Sequence, residues 1–268
     1  MVAQIIQDNK LERGHYIEPY AGGCGLALSL LFKGFVHELH LNDIDRSIAS
    51  FWDAILNNTD EFVDLIERTP VTITEWQRQK LVQTNKISAN SLELAFSSFF
   101  LNRTNRSGVI GKAGVIGGND QSGSYKLDCR FNKEGLIAKI RQIARYRHRI
   151  HFYNLDAVQF INDARDTLPK NKSFFCIDPP YYHKGSSLYA NFYEPHDHLE
   201  ISQVLLKLNR PWVLTYDNAQ QIQALYKDRR QFHFDLNYSL AWKRVGTELL
   251  VASDDLLISP SLGLRKAA

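Results

Sequence analysis

The chain has little cysteine, and none of it is arranged for disulfide or metal chemistry. Cys24, Cys129 and Cys176 are spread over 268 residues without a Cys-x-x-Cys pair. An odd, scattered set disfavours both a disulfide framework and a zinc site and suits a reducing compartment. The sequence marks no other metal cluster, so the expected metal content is none. Long apolar runs are missing too; none approaches the roughly 20 residues that cross a bilayer. Residues 1–10 lack the basic start and apolar core of a secretory signal. Internal repeats, low-complexity tracts and long linkers are absent as well. With 44% hydrophobic and 23% charged residues, the composition is that of a globular protein of one large or two moderate domains.

One further scarcity is local. Residues 101–151 hold eleven Lys/Arg but only three acids, Asp120, Asp128 and Glu134, for a net charge of +8, and the rest of the chain carries −5. A basic block on an acidic body is the electrostatic footprint of a polyanionic partner. A solvated helix face accounts for part of residues 133–149, but less readily for the shortage of acids throughout.

What is present centres on Ser173-Phe-Phe-Cys-Ile-Asp-Pro-Pro-Tyr-Tyr182. The apolar run 174–177 reads as a buried strand. Pro179 and Pro180 end it, because neither has the N–H that a ladder needs. Asp178, a carbonyl and the Tyr181 ring are thereby held at the carboxyl end of a buried strand, where open α/β sheets bind ligands. The combination suits an exocyclic nucleobase amine, whose lone pair is delocalised into the ring. A carboxylate and a carbonyl accepting from that amine favour a pyramidal nitrogen, and a flat ring can stack on the base. The plainer alternative is a loop with an N-cap acid and a core tyrosine.

The N-terminal region reads as a βαβ unit. A short amphipathic helix over residues 1–13 precedes a strand at 15–20, the turn Gly22-Gly23-Cys24-Gly25, a helix at 26–32 and a strand at 36–41. The glycines let backbone N–H groups at a helix start face a ligand. Asp43, eighteen residues after Gly25, stands where an acid often grips ribose hydroxyls. No lysine follows the glycines as a P-loop requires, and the spacing fits a nicotinamide site badly. Helices are expected at 60–68, 74–82 and 91–100, extended hairpins and loops through the glycine-rich stretch 101–130, and a basic amphipathic helix at 133–149. The sheet resumes at 149–153, 174–177, 212–216, 231–236 and 249–252. Asp156 reads equally as a ligand contact and as the N-cap of a helix over 157–161. These elements predict one domain from 1–57 and 149–268, with 58–148 inserted.

Tyr16-Ile-Glu-Pro-Tyr-Ala-Gly-Gly-Cys-Gly25, Leu101-Asn-Arg-Thr-Asn-Arg-Ser-Gly108, Cys129-Arg-Phe-Asn-Lys133 and Cys176-Ile-Asp-Pro-Pro-Tyr-Tyr182 together resemble the motifs of the Dam-type, α-group DNA adenine methyltransferases. Leu214-Thr-Tyr-Asp-Asn218 and Gly246-Thr-Glu-Leu-Leu250 are similar to late motifs of that family. The resemblance implies a Rossmann-like, seven-stranded α/β sheet with an inserted target-recognition domain of helices and hairpins. It implies S-adenosylmethionine as methyl donor, near Glu18, Pro19, Tyr20, Ala21, Gly22, Gly23 and Gly25. Asp43 and Ile44 would lie by its ribose, and Asp156 and Ala157 by its adenine. Asp178 and Pro179, stiffened by Pro180, would bind the target amine, with Tyr181 stacked on an extruded base. Arg103, Asn105, Arg106, Lys112, Lys126, Arg130, Arg145 and Arg149 would meet double-stranded DNA. Cys176 is expected in the core, since direct transfer needs no cysteine nucleophile.

The resemblance also implies a cytoplasmic, DNA-associated protein, monomeric or weakly dimeric, and leaves room for a cognate restriction nuclease. A cytosine amine shares the catalytic tetrapeptide as a target, and a DNA-binding homologue with weakened turnover is the alternative of a different class. Two departures bear on that choice. The family has a glycine where Cys24 stands, and a Gly-Gly-Lys segment upstream that residues 1–16 do not resemble. Weak cofactor affinity and low turnover, with DNA binding retained, are the expectation from these departures.

Overall fold

Every residue of Ser173–Ile177 is buried, as an apolar run covered on both faces of a sheet should be. In the computed structural model, which describes residues 1–111, 113–183, 193–238 and 244–267, this segment is the fourth strand in chain order. The order is α1 (Val2–Asp8), β1 (His15–Glu18), α2 (Gly25–Phe32), β2 (Glu38–Asn42), α3 (Arg46–Asn57), α4 (Thr59–Arg68), α5 (Ile73–Thr84), α6 (Ser91–Thr104), α7 (Lys133–Ala144), β3 (Ile150–Tyr153), α8 (Ala157–Thr167) and β4 (Ser173–Ile177). There follow α9 (Pro195–Lys207), β5 (Trp212–Asp217), α10 (Gln220–Leu225), β6 (Arg230–Tyr238), β7 (Arg244–Ala252) and β8 (Arg265–Lys266). The chain divides into two compact units, Met1–Ile44 with Tyr153–Ala268, and Asp45–Phe152.

The strands form one sheet in the order β3-β2-β1-β4-β5-β7-β6-β8. β1 pairs in parallel with β2 and with β4, and β4 with β5. β7 runs antiparallel between β5 and β6. From β1 the chain builds outward to one side, and β4 then starts the other side. The topological switch point therefore lies between β1 and β4, at whose carboxyl ends α/β proteins bind ligands. Among the described residues the sheet has eight strands rather than seven. The added β8 is a two-residue edge strand on β6, and Arg265 grips Asp235 of β6 through both terminal nitrogens, at 2.9 and 2.7 Å. Ile17, Phe175, Ile177, Leu214 and Val251 of the strands form one core with Phe160 and Ile161 of α8 and Ile201 and Leu205 of α9.

The second unit is helical and its core is aromatic. Phe51 of α3 stacks on Phe99 of α6 with ring centroids 6.3 Å apart and meets Phe62 of α4 edge-on at 6.0 Å. This packing places α3 in the helical unit, which begins at Asp45. Phe131, just before α7, closes the group against Phe99 and Phe100.

Three segments differ from expectation. The first helix ends at Asp8; Lys10 and Arg13 both have positive φ, which no helix continues through. The basic helix ends at Ala144 and is followed by a 3-10 turn over Arg147–Arg149. Its buried positions are Ile140 and Ile143; one turn later the apolar stripe meets Arg147, so no face remains to bury. The glycine-rich stretch forms no hairpin among the described residues. α6 extends into it as far as Thr104, whose hydroxyl bonds to Phe100 O at 2.8 Å, and one isolated bridge joins Asn105 to Val115.

Candidate active site

Three strand ends are tied together by one buried asparagine. Asn42, at the end of β2, donates to Pro19 O and Leu155 O at 3.1 Å each and accepts from Leu155 N at 2.9 Å. Ala21 N donates to Asn42 O at 2.9 Å, and Asn154 donates to Asp43 O and Ile44 O at 2.8 and 3.1 Å. The segments carrying Glu18, Asp43 and Asp156 are therefore held at fixed spacing. Asn42 adjoins Asp43 but gives no motif signal of its own, and sequence reasoning passes over it.

The glycine turn is built to approach a ligand. Gly22 sits at φ +48 and donates its N–H to Asp43 Oδ2 at 3.0 Å. Cys24 caps α2 at φ +51, a conformation that costs a non-glycine residue about 1–3 kcal/mol and collects at functional sites. A Cβ at Gly22, Gly23 or Gly25 would meet nothing within 4 Å, so open space lies beside this backbone. Glu18 ends β1 beside the switch point, with its Oε2 buried and without a hydrogen-bond partner. Burial, then the charge of Asp178, pushes the Glu18 carboxyl up to about 8, so it is protonated at neutral pH. Tyr20 is engaged with Tyr193, hydroxyl to hydroxyl at 2.7 Å. Asp156 is an N-cap, its Oδ1 accepting from Val158 N and Gln159 N at 2.8 and 3.2 Å. Its neighbour Ala157 is buried, whereas Ile44 is exposed.

At the end of β4 the ladder register sets the partners of the proline loop. Ile177 pairs with Leu214, which brings Thr215 beside Asp178; the Thr215 hydroxyl donates to Asp178 Oδ1 at 2.7 Å. Two residues on, the same edge presents Asp217, whose carboxylate receives Tyr182 N and His183 N at 2.8 and 2.9 Å. Asp217 pairs with Glu248 of β7, a buried acid that accepts from the Tyr181 hydroxyl at 2.7 Å. Pro179 and Pro180 are buried beneath the loop. Asp178 is exposed over part of its surface, and the protein around it still desolvates its carboxyl. Desolvation raises its carboxyl to about 6, with the Thr215 bond pulling it down and the Glu248 charge pushing it up. Cys176 is buried, and desolvation followed by the Glu18 charge drives its thiol far up, so it supplies no thiolate nucleophile.

Thr215, Asp217 and Glu248 thus shape the site. They lie in the late motifs that the sequence singles out, and only the strand register reveals what each one holds.

The residues of the helical unit expected to meet DNA fall into two groups. Asn105 is fully buried; its Oδ1 accepts from Trp76 Nε1 at 2.6 Å and its Nδ2 donates to Val109 O and Ile110 O at 2.8 and 3.2 Å. Its amide is taken up in organising the loop after α6. Arg130 likewise donates to Asn102 O and Asn105 O, and Arg103 binds Asn102 Oδ1 through Nε and a terminal nitrogen. Burial, then Arg130, lowers the Arg103 guanidinium. By contrast Arg106 and Arg145 are exposed. Lys126 is exposed with its ammonium on Gln121 O at 2.6 Å, and Arg149 lies 5.7 Å over the Tyr146 ring. Lys112 lies outside the described residues.

Among the described residues no helix is long and apolar enough to cross a membrane. No curated protein matches the chain. A family model, D12 class N6 adenine-specific DNA methyltransferase, matches residues 2–240. With an acid, two prolines and a tyrosine at the switch point of a methyltransferase-like sheet, and that match over nearly the whole length, the chain belongs to the D12 class of enzymes that methylate adenine in DNA.

Proposed function

We propose that the enzyme transfers the methyl group of S-adenosylmethionine to the exocyclic amine of an adenine rotated out of duplex DNA. The observation that carries this reading is the pairing at the switch point. Asp178, with its carboxyl at about 6, stands at the end of β4, and Glu18 stands at the end of the adjacent β1.

The residues present fit the donor. The orphaned Oε2 of Glu18 and the open space beside Gly22, Gly23 and Gly25 offer a polar contact and a backbone cradle. Gly22, Asp43 and Asp156 would hold its nucleoside part, and Glu18 its amino-acid part. When bound, S-adenosylmethionine supplies an electrophilic methyl group on a sulfonium.

The remaining chemistry belongs to the protein. Asp178 and the Pro179 carbonyl accept the two N–H groups of the adenine amine, which localises its lone pair. Thr215 fixes the Asp178 carboxylate, leaving Oδ2 turned to the amine. Methylation leaves an extra proton on that nitrogen, and Asp178 takes it; a carboxylate near 6 is a stronger acceptor than one near 4. The Tyr181 ring stacks on the base, and Glu248 holds its hydroxyl so that the ring is oriented before the base arrives. Alignment and amine activation therefore provide most of the rate.

The test is transfer of labelled methyl from S-adenosylmethionine to duplex DNA, followed by nucleoside analysis. N6-methyladenine is the expected product. Label on cytosine, or none with cofactor bound, overturns the reading.

A further inference from the structure

Towards the amino ends of β1 and β2, three side chains converge that the methyl-transfer reading does not use. Glu38 and His40 are two apart on β2 and so project from one face of the sheet. His15 is the direct ladder partner of Glu38 on β1, which puts it on that face as well. Their ligand atoms are mutually close. His15 Nδ1 is 3.0 Å from His40 Nε2 and 3.5 Å from Glu38 Oε2, and His40 Nε2 is 3.7 Å from the same oxygen.

We propose that His15, Glu38 and His40 form a divalent transition-metal site, with zinc the ion it suits best, pinning the amino ends of β1 and β2. A tetrahedral ion with bonds of about 2.0–2.1 Å separates its ligand atoms by about 3.3–3.4 Å. The three observed distances bracket that value. Two imidazoles and one carboxylate form a set that zinc favours over the hard, oxygen-seeking ions. A fourth position would be left for water.

The setting favours a site over a chance grouping. His40 is buried while His15 and Glu38 are partly open, so the pocket is fixed on one side and accessible on the other. Both strands are held by the central parallel ladder, so the ligand positions are set before an ion arrives.

His15 opens the strand that Glu18 closes. At about 3.3 Å per residue the two lie on the order of 10 Å apart. The ion would therefore brace the strand that carries Glu18, remote from the reacting amine. Without metal, the same residues can share a proton between the imidazoles beside the carboxylate, and that arrangement is the competing outcome.

The full chain, stripped with chelator, is titrated with Co2+ and then Zn2+. One Co2+ per chain with the visible absorption of a four- or five-coordinate ion is expected, displaced by Zn2+. The thermal midpoint should rise with Zn2+ concentration, as for any ligand of the native state. The chain has nine histidines, so variants assign the site. Glu38→Gln keeps the side-chain volume and should lose more than the about 10–100-fold in affinity that removal of an outer-shell partner costs. His15→Asn should do the same, and His148→Ala, in the other unit, should do nothing. No stoichiometric Co2+ at micromolar concentration, or binding unchanged in both Glu38→Gln and His15→Asn, overturns the proposal.

Discussion

The two units treat their polar side chains in opposite ways. In the α/β unit, acids are gathered at strand ends and kept under tension. Glu18 holds a buried oxygen without a partner, and Asp178 and Glu18 are both displaced upward by desolvation. In the helical unit, several of the residues marked by sequence as ligand contacts are engaged internally. Asn105 satisfies one indole and two carbonyls, and Arg130 holds two carbonyls of the same loop. The first pattern raises pKa values where chemistry is needed. The second builds a loop whose shape depends on polar groups that never leave the protein. The proposed function accordingly assigns the chemistry to the acids at the strand ends, and contact with DNA to the cations left outside the internal network.

Asp178→Asn should break the comparison most severely. Loss of the carboxylate should lower transfer by about 10²–10⁴-fold, while DNA affinity and thermal stability hold. Single-turnover transfer alongside a DNA-binding titration separates the two. Equal losses in binding and transfer would show that Asp178 serves the substrate's grip rather than its activation.

Asn105→Ala should act in the other unit and in the other way. Each buried group left without its partner costs about 1–3 kcal/mol, so the variant should unfold at lower temperature before any specific effect on chemistry is seen. A stable variant with selectively weakened DNA binding would return Asn105 to the DNA contact that sequence suggests.

Glu18→Gln sharpens the account of the strained acid. Its folded carboxyl lies near 8, above an ordinary value of 4.5. The stability linked to this group is therefore fully present below about 4.5 and is lost as pH rises through 8. The amide escapes that loss. The variant should match the parent at pH 4 and become progressively more stable towards pH 9, with weaker cofactor binding. Denaturant midpoints across that range check the sign.

Arg106→Gln should have the smallest effect. Arg106 is exposed, and if it neutralises one phosphate the plot of log affinity against log salt should flatten by about one unit. Transfer at saturating DNA should be unchanged.

How far the sequence reveals this molecule differs between the units. The strand ends were legible because proline and glycine punctuate them. Pro179 and Pro180 stop β4 where Asp178 is needed, and the glycines open α2 beside Asp43. The roles of Thr215, Asp217 and Glu248 are not legible, because their meeting with Asp178 and Tyr181 depends on strand pairing across long stretches of chain. In the helical unit the excess of positive charge is plain in composition. Which arginines bond to carbonyls depends on how the loop after α6 folds back, and no local pattern encodes that. His15, Glu38 and His40 show the same limit: the two on β2 are visible as alternating residues, but the third joins them only through the ladder.

An ionised Asp178, held near 6 by desolvation, is proposed to activate the adenine amine. The pH dependence of kcat/KM for DNA tests it directly, since that quantity reports the groups of the enzyme before substrate binds. Between pH 5 and 8, with folding verified at each point, the rate should rise through a single step near 6 and then level off, and the step should vanish in Asp178→Asn. A flat profile over that range, or the same step in the variant, would contradict the account.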